Sequence, residues 1–217
     1  MPGPRDLAEA ARQAGVRDER VLAAMAELPR AVFVPPHLAR DAYGDRPIPI
    51  SHRQVTTQPS LVARMVEALA LRADDSVLEI GTGHGYQTAL LARLAREVWS
   101  VELWEDLSDA ASRSLAAAGI ANAHLVVGDG TCGLPEQAPF QAILVSAAFP
   151  SVPVPLFEQL APGGRLVQPI GPGGHDEVTV FAREESGRTS ARHVTGAYFV
   201  PLYGVHGYPL DHAPSRP

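Results

Sequence analysis

Residues 76–92 read SVLEIGTGHGYQTALLA, and this stretch predicts the fold. It begins with a short apolar run, SVLEI, whose length and composition are typical of a buried strand. Three glycines follow at alternate positions, Gly81, Gly83 and Gly85, and a helical pattern begins after them. Glycines at such a turn permit positive φ angles and allow a ligand to approach the backbone closely. The stretch therefore predicts a strand, a ligand-binding turn and a helix.

The alternation of strand and helix patterns continues along the rest of the chain. Further strands are predicted at residues 98–103, 124–129, 140–148 and 163–171, and helices at 5–14, 18–28, 61–73, 86–95 and 107–119. This order is typical of an α/β doubly wound, Rossmann-like sheet, mostly parallel and covered by helices on both faces. Residues 177–184 and 191–202 flank a turn-like segment, which predicts an antiparallel hairpin at one edge.

Length and composition indicate one folded domain. The chain has 217 residues, of which 46% are hydrophobic and 19% charged, as in ordinary globular proteins. We expect a single domain over residues 1–206, with an N-terminal helical and substrate-loop segment at 1–59 and a flexible tail at 207–217. A monomer is expected.

Charge and cysteine content limit the kinds of ligand and partner that the protein is expected to bind. The formal net charge of -6 disfavours binding to nucleic acid, which basic proteins attract electrostatically. Cys132 is the single cysteine, which excludes an intramolecular disulfide and any multi-cysteine metal site. His52 and His84 lack partners at metal-ligand spacing, so no metal site is predicted. No apolar run is long enough for a signal peptide or a membrane span, and we expect a cytoplasmic protein without a membrane partner.

Acidic residues are predicted at the ends of three successive strands. Glu79 precedes the glycine turn, Glu102 ends the next strand about twenty residues on, and Asp129 with Gly130 ends the third. A carboxylate at the first position suits a cationic group, the second can accept the hydroxyls of a ribose, and the third can contact an adenine edge. The G-x-G-x-G spacing also differs from the G-x-G-x-x-G that receives a pyrophosphate. These features favour S-adenosylmethionine as cofactor; the alternative is that Glu79 caps a helix and Glu102 is a solvated strand end.

Six stretches then allow a comparison with a known family. The chain contains, in order, FVPPHLARDAYGDRPIPI, QPSLVARM, VLEIGTGHGYQTALLA, VVGDGTCGLPEQAPFQAILVSAAFP, LAPGGRLVQPIG and YFVPLYG. Their order and spacing, over roughly residues 20–204, resemble those of the protein-L-isoaspartate O-methyltransferases. The resemblance implies a methyltransferase sheet, S-adenosylmethionine as methyl donor, and isoaspartyl-containing proteins and peptides as substrates. It further implies that the product ester cyclises to a succinimide, whose hydrolysis returns some normal aspartate.

The loop before the third predicted helix is similar to the substrate loop of that family, G-x-G-Q-T-I-S-Q-P. Thr57 occupies the serine position, so the resemblance implies that its hydroxyl lies between the methyl donor and the substrate carboxylate and is catalytic. Ser51 and Arg53 replace both glycines. Substrate contacts are expected from His52, Arg53, Gln54, Thr56 and Gln58. The alternative role for Thr57 is to cap the helix that starts near Pro59.

Two other functions remain compatible with the same donor site. One is a related carboxyl methyltransferase that acts on a different peptide or small molecule. The other is a non-catalytic adaptor that binds S-adenosylmethionine. Arg53 has a planar fork suited to carboxylates, which favours substrates with a second acidic group. The alternative is that Arg53 is a solvated surface arginine.

Overall fold

The computed structural model describes residues 2–212 and places a seven-stranded sheet at the centre of the protein. The helices are α1 (Pro4–Gln13), α2 (Glu19–Glu27), α3 (Pro59–Leu69), α4 (Tyr86–Ala92), α5 (Glu105–Ala117) and α6 (Val154–Glu158). The strands are β1 (Ile48–Pro49), β2 (Val55–Thr56), β3 (Ser76–Ile80), β4 (Glu97–Glu102), β5 (Ala123–Val127), β6 (Phe140–Val145), β7 (Leu160–Ile170), β8 (Asp176–Arg183) and β9 (Thr189–Ala197). Short 3-10 helices lie at Arg30–Phe33, Pro36–Asp41, Ser51–Arg53, Gly130–Cys132 and Pro135–Gln137.

The order of strands in the large sheet is β5-β4-β3-β6-β7-β8-β9. The strands β5, β4, β3, β6 and β7 are mutually parallel, whereas β8 runs antiparallel to both β7 and β9. The predicted doubly wound sheet and its antiparallel edge hairpin are therefore confirmed. The strand order reverses between β3 and β6, and ligands of such sheets bind at the carboxyl ends of the strands beside this switch point.

Strand β3, which comes first in the chain among the strands of the large sheet, is buried on both faces. Val77 packs into the apolar cluster that also contains residues of α1 to α4, while Leu78 and Ile80 pack into the cluster on the opposite face. Burial of one such side chain contributes about 1.5–3 kcal/mol relative to exposure. Burial of both faces explains why apolar residues of β3 occupy successive positions and do not simply alternate with polar ones.

Some predicted boundaries differ from the structure for identifiable reasons. Helix α3 ends at Leu69 instead of residue 73, because Ala70 adopts a left-handed conformation with φ 48. Strand β9 ends at Ala197 instead of residue 202, because the Phe199 N–H turns inward to donate to the Asp176 carboxylate at 3.1 Å. Neither the short helix α6 nor the two-residue pair β1–β2 is predicted from the sequence, since such short elements have no periodicity.

The chain remains packed beyond the tail boundary predicted at residue 207. The Tyr208 N–H donates to the Leu202 carbonyl at 2.7 Å. The Tyr208 ring lies edge-on to Phe149 with centroids 5.0 Å apart and stacks on His212 at 4.0 Å. Tyr208 and His212 therefore contact the protein, whereas residues 209–211 are exposed, and the remainder of the predicted tail lies outside the described residues.

No helix within residues 2–212 combines the length and the apolar character that crossing a membrane requires.

Candidate active site

A cleft opens at the carboxyl ends of β3 and β4, beside the topological switch point. Its walls are the turn after β3 (81–87), the turn after β4 (101–104), the loop around β2 (54–57) and residues 200–203. Gly130, after β5, also lines it. The strand ends and the substrate loop thus meet in one cavity, as the sequence predicts for a donor site beside an acceptor site.

Two glycines in the turn after β3 have different structural roles. Gly83 has φ 56, and a side chain there would meet only the Ile50 side chain, at 3.6 Å, before entering the cleft. Gly85 has φ 89, and its added Cβ would lie 3.3 Å from side-chain atoms of Ala111 and Leu115 on α5. Gly83 therefore leaves room for a ligand, whereas Gly85 allows α5 to pack closely against the turn. Gly81, with φ 96, also lines the cleft.

Glu102 presents a buried carboxylate to the cleft. Its side chain is 5% exposed, which rules out a solvated strand end. One oxygen accepts a hydrogen bond from the Gly83 N–H at 2.8 Å and the other from the Trp104 N–H at 3.1 Å. Burial raises the pKa of Glu102, and these backbone hydrogen bonds oppose the rise. A carboxylate has about four acceptor positions, so acceptor capacity remains for hydroxyl groups of a ligand.

Glu79 lies behind the cleft wall rather than in it. It is fully buried and accepts hydrogen bonds from Thr88 Oγ1 at 2.5 Å, Ser100 Oγ at 2.6 Å and Gln87 Nε2 at 2.8 Å. Burial raises the pKa of Glu79 to about 7, against the effect of these hydrogen bonds. Gln87 also donates to Ser146 Oγ at 2.7 Å, and both of these residues line the cleft. Glu79 therefore reaches the ligand side indirectly, through Gln87.

Asp129 is engaged in a contact within the protein. One carboxylate oxygen accepts from the backbone N–H and the hydroxyl of Thr131, at 2.9 and 2.6 Å, and the other from the Val205 N–H at 2.8 Å. Asp129 thus ties the 3-10 helix after β5 to the C-terminal loop, and it is not among the residues that line the cleft. Gly130 does line it, and a side chain there would collide with Ile80. Contact of Asp129 with an adenine edge stays a prediction.

Thr57 is not the cap of helix α3. The N-cap position is Gln58, which makes no side-chain cap hydrogen bond. The Thr57 side chain is half-buried and lines the cleft, and its hydroxyl has no hydrogen-bond partner within residues 2–212. Its hydroxyl is therefore free to bind a ligand. Gln58 instead braces the loop by donating to Asp45 Oδ2 at 2.9 Å and Ser60 Oγ at 3.0 Å.

The segment at 51–53 connects the loop around β2 to the turn after β4, beside the cleft. His52 and Arg53 have φ angles of 56 and 58, a left-handed conformation that costs a non-glycine residue about 1–2 kcal/mol. The His52 ring stacks on Trp104 at 4.1 Å, and its Nε2 lies 2.7 Å from Asp106 Oδ1. These contacts join the substrate loop to the turn after β4. Gln54 lines the cleft, but Arg53 is exposed and lies outside its lining.

Sequence reasoning missed several residues that support the site. Asp45 accepts from the Ser60 N–H at 2.8 Å and the Ser60 hydroxyl at 2.7 Å, which fixes the start of α3. Trp104 and Asp106 hold His52 from across the cleft. Trp104 lies two residues after Glu102, which ends β4, and that position is the signal that could have found it. Asp45 lies in an ordinary turn and has no such signal.

The fold and the site together define a class. A doubly wound sheet with an antiparallel edge pair, a glycine turn without a pyrophosphate motif and a buried carboxylate at the next strand end characterise a Rossmann-like methyltransferase. The chain belongs to the protein-L-isoaspartate(D-aspartate) O-methyltransferase family, whose model matches residues 4–207.

Known relatives resemble the chain over nearly its whole length. A protein-L-isoaspartate O-methyltransferase of Methanoculleus marisnigri is 50% identical over 203 residues, which are 94% of this chain and 92% of that protein. One from Anaeromyxobacter dehalogenans is 54% identical, over 91% of this chain and 96% of its own length. The family resemblance stated from sequence motifs is confirmed.

Solved structures resemble the fold. A structure of a protein-L-isoaspartate O-methyltransferase superposes with a TM-score of 0.79 at 28% identity, covering 92% of this chain and 65% of that one. A Plasmodium falciparum structure described as a putative protein-L-isoaspartate O-methyltransferase, in complex with S-adenosyl-L-homocysteine, gives the same TM-score, 0.79, at 21% identity. It covers 94% of this chain and 99% of the other, and supports the fold alone.

Proposed function

We propose that this protein is an S-adenosylmethionine-dependent carboxyl O-methyltransferase acting on L-isoaspartyl residues of damaged proteins and peptides. The observation that carries the proposal is the extent of the family match. It spans residues 4–207 and so includes both the donor side and the substrate side of the cleft. The comparisons give no support to an adaptor or to a different carboxylate substrate.

The donor side of the cleft suits a nucleoside that carries an amino-acid tail. S-adenosylmethionine supplies a methyl group on a positively charged sulfur. The free acceptor capacity of Glu102 suits ribose hydroxyls, and the open face of Gly83 leaves room for the ligand beside it. Gln87 and Ser146, backed by Glu79, are polar groups available to the amino-acid tail. We assign these residues to the donor.

The substrate side needs to orient an anion rather than to activate it. A terminal-type carboxylate has an ordinary pKa of about 3.3–3.7 and is ionised at neutral pH, so no general base is required. Thr57 has a free hydroxyl in the cleft, and we assign it to donate a hydrogen bond to one carboxylate oxygen. Its β-branch restricts χ1, which keeps the hydroxyl in place. Alignment of this kind contributes up to about 7–11 kcal/mol in favourable intramolecular reactions.

The product is a methyl ester, and the adjacent backbone amide nitrogen attacks its carbonyl spontaneously, which expels methanol and forms a succinimide. Hydrolysis of the succinimide returns part of the material as normal aspartate, so the reaction initiates repair. A monomeric state, a cytoplasmic location and the absence of nucleic-acid and membrane partners stay predictions from the sequence. We further propose that residues 1–206 act as one domain.

The test is incorporation of labelled methyl from S-adenosylmethionine into an isoaspartyl peptide, beside the same peptide with normal aspartate. We expect incorporation into the isoaspartyl peptide alone. The Glu102→Ala variant is the matched control for donor-dependent transfer. Tight binding of S-adenosylhomocysteine without incorporation into any peptide would support the adaptor. Equal incorporation into both peptides would contradict isoaspartyl recognition.

A further inference from the structure

An arginine is buried beneath the substrate loop without an acidic partner. Arg30, in the 3-10 helix after α2, is 0% exposed, and no carboxylate in residues 2–212 forms an ion pair with it. Its guanidinium donates to the carbonyls of Ala42, Gly44, Arg46 and Thr57 and to the hydroxyl of Thr56, at 3.0 to 3.1 Å. Burial lowers the pKa of Arg30 to about 10, so the group is charged at neutral pH. The cost of burying this charge is offset by these hydrogen bonds and, at longer range, by the attraction of the Asp45 carboxylate.

One of these hydrogen bonds restricts the orientation of the hydroxyl of Thr56, a residue that lines the cleft. Arg30 Nη2 lies 3.0 Å from Thr56 Oγ1, and a guanidinium has no acceptor, so the threonine oxygen must accept. The hydroxyl hydrogen of Thr56 is therefore directed away from Arg30 and is available to another acceptor. No described residue supplies one, and Thr56, which is 8% exposed, lines the cleft. Next to it stands Thr57, whose hydroxyl is also free.

Arg30 also fixes the position of the loop that contains β1 and β2. Its Nη2 donates to the Thr57 carbonyl at 3.1 Å and to the Arg46 carbonyl at 3.1 Å, so that one group holds both sides of the β1–β2 pair. Thr56 and Thr57 therefore reach the cleft from a backbone that is anchored by Arg30.

We propose that Arg30 is a positioning residue that acts through Thr56, making its hydroxyl a second hydrogen-bond donor to the substrate carboxylate beside that of Thr57. The inference rests on the proposed function. The guanidinium acts through the Thr56 hydroxyl and does not contact the substrate carboxylate itself. Its positive charge nevertheless favours binding of that anion. Thr57 aligns the reacting oxygen, whereas the hydroxyl of Thr56 adds binding energy that contributes about equally to the bound substrate and to the transition state.

The expected signature is therefore a rise in KM for the isoaspartyl peptide with little change in kcat. Thr56→Val removes the hydroxyl and should raise KM about tenfold, the effect of one hydrogen bond to a charged group. Thr56→Ser keeps the hydroxyl and should restore the native KM. Arg30→Met also removes the anchor of the loop, so it should raise KM at least as much, and adding Thr56→Val to it should raise KM by less than about twofold more, because the Thr56 interaction is already lost.

Calorimetric binding of S-adenosylhomocysteine is the control, and we expect it to be unchanged in every variant. An unchanged KM in Thr56→Val would overturn the proposal, as would a fall in kcat at constant KM or a multiplicative effect in the double variant. If Arg30→Met does not fold, the comparison of Thr56→Val with Thr56→Ser decides the question. Failure of the proposed function is distinguishable, because the native enzyme would then methylate no isoaspartyl peptide at all.

Discussion

The two halves of the cleft are built in different ways. The donor half is formed by the carboxyl ends of β3 and β4, which lie in a ladder of parallel hydrogen bonds, and by a glycine turn. The substrate half is formed by two-residue strands, a 3-10 turn and two non-glycine residues, His52 and Arg53, with positive φ. The first half is held by regular backbone pairing and the second by individual side chains.

This difference predicts how each half responds to change. In the donor half a ligand at the glycine turn would lie against backbone, so a small steric change should abolish binding. In the substrate half the loop is held by separate contacts, among them Arg30 with carbonyl groups, Asp45 with Ser60, and His52 with Asp106. Loss of one such contact should change rate or specificity while leaving donor binding intact.

The largest effect is expected at the glycine turn. Gly83→Val should abolish binding of S-adenosylhomocysteine, a loss of at least about 4 kcal/mol, because a β-branched side chain would fill the ligand space. Gly119→Val is the matched control: its φ of 70 imposes similar backbone strain, and no atom of the described chain lies within 4 Å of its added Cβ. Calorimetry should find normal binding in the control. Normal binding by both variants would mean that the ligand does not lie against this turn.

The next effect concerns the pH dependence of folding. The pKa of Glu79 is raised by burial from 4.5 to about 7, so its protonated form favours the folded state. This contribution is complete below about pH 4.5 and is lost as the pH rises through about 7. Relative to the native protein, Glu79→Gln should therefore gain up to about 3 kcal/mol in free energy of unfolding between pH 5 and pH 8.

Urea unfolding at constant ionic strength measures the Glu79 effect. The control is Glu97→Gln, since a hydrogen bond from Arg96 lowers the pKa of Glu97 and its contribution is instead lost as the pH falls. Parallel pH profiles for the native and Glu79→Gln proteins would contradict a neutral buried carboxyl.

A smaller loss is expected at the other donor-side carboxylate. Glu102→Ala should weaken S-adenosylhomocysteine binding by about 1.5–3 kcal/mol, because charge-assisted hydrogen bonds to hydroxyls are lost. Calorimetry across a series that includes Glu102→Gln separates loss of charge from loss of the acceptor. Unchanged affinity in both variants would remove Glu102 from the donor site.

In the substrate half of the cleft, we expect a substitution at Thr57 to change kcat and not the affinity for the donor. Thr57→Val keeps the shape of the side chain but lacks the hydroxyl, and should lower kcat about tenfold, equivalent to about 1.4 kcal/mol. Thr57→Ser should retain activity. Steady-state kinetics with an isoaspartyl peptide tests this, and equal kcat for the threonine and valine enzymes would assign Thr57 to packing alone.

The smallest effect is expected at Arg53, which is exposed and lies outside the cleft lining. If it attracts a second acidic group on the substrate, Arg53→Gly should reduce the preference for acidic flanking residues by less than about 1 kcal/mol, and salt should weaken that preference. The measurement is kcat/KM over a peptide panel that varies only the flanking charge. An identical ranking by both enzymes would show that Arg53 does not read the substrate.

Local pattern accounts for what could be predicted of the site. The glycine turn could be placed because φ angles and backbone approach depend on residue type at fixed positions. Glu102 could be placed because the carboxyl ends of adjacent parallel strands meet at one edge of the sheet. The resemblance to the family's substrate loop, not strand order, assigned Thr57 to the site, and Thr57 lines the cleft. Strand order gave no information on whether a carboxylate at a strand end faces the cleft or the interior, as Glu79 and Asp129 illustrate.

The sequence by itself thus determined the sheet, its antiparallel edge, the glycine turn and the family, because each follows from periodicity or from residue types at fixed spacing. The tertiary structure alone decided that Gln87 intervenes between Glu79 and the cleft and that Asp129 is committed to Val205. It also decided that Arg30 anchors a loop 27 residues away and that His52 contacts Asp106 across 54 residues. Such contacts join segments distant in the chain, where no local period exists, and their hydrogen bonds form only once packing has excluded water and brought the partners together.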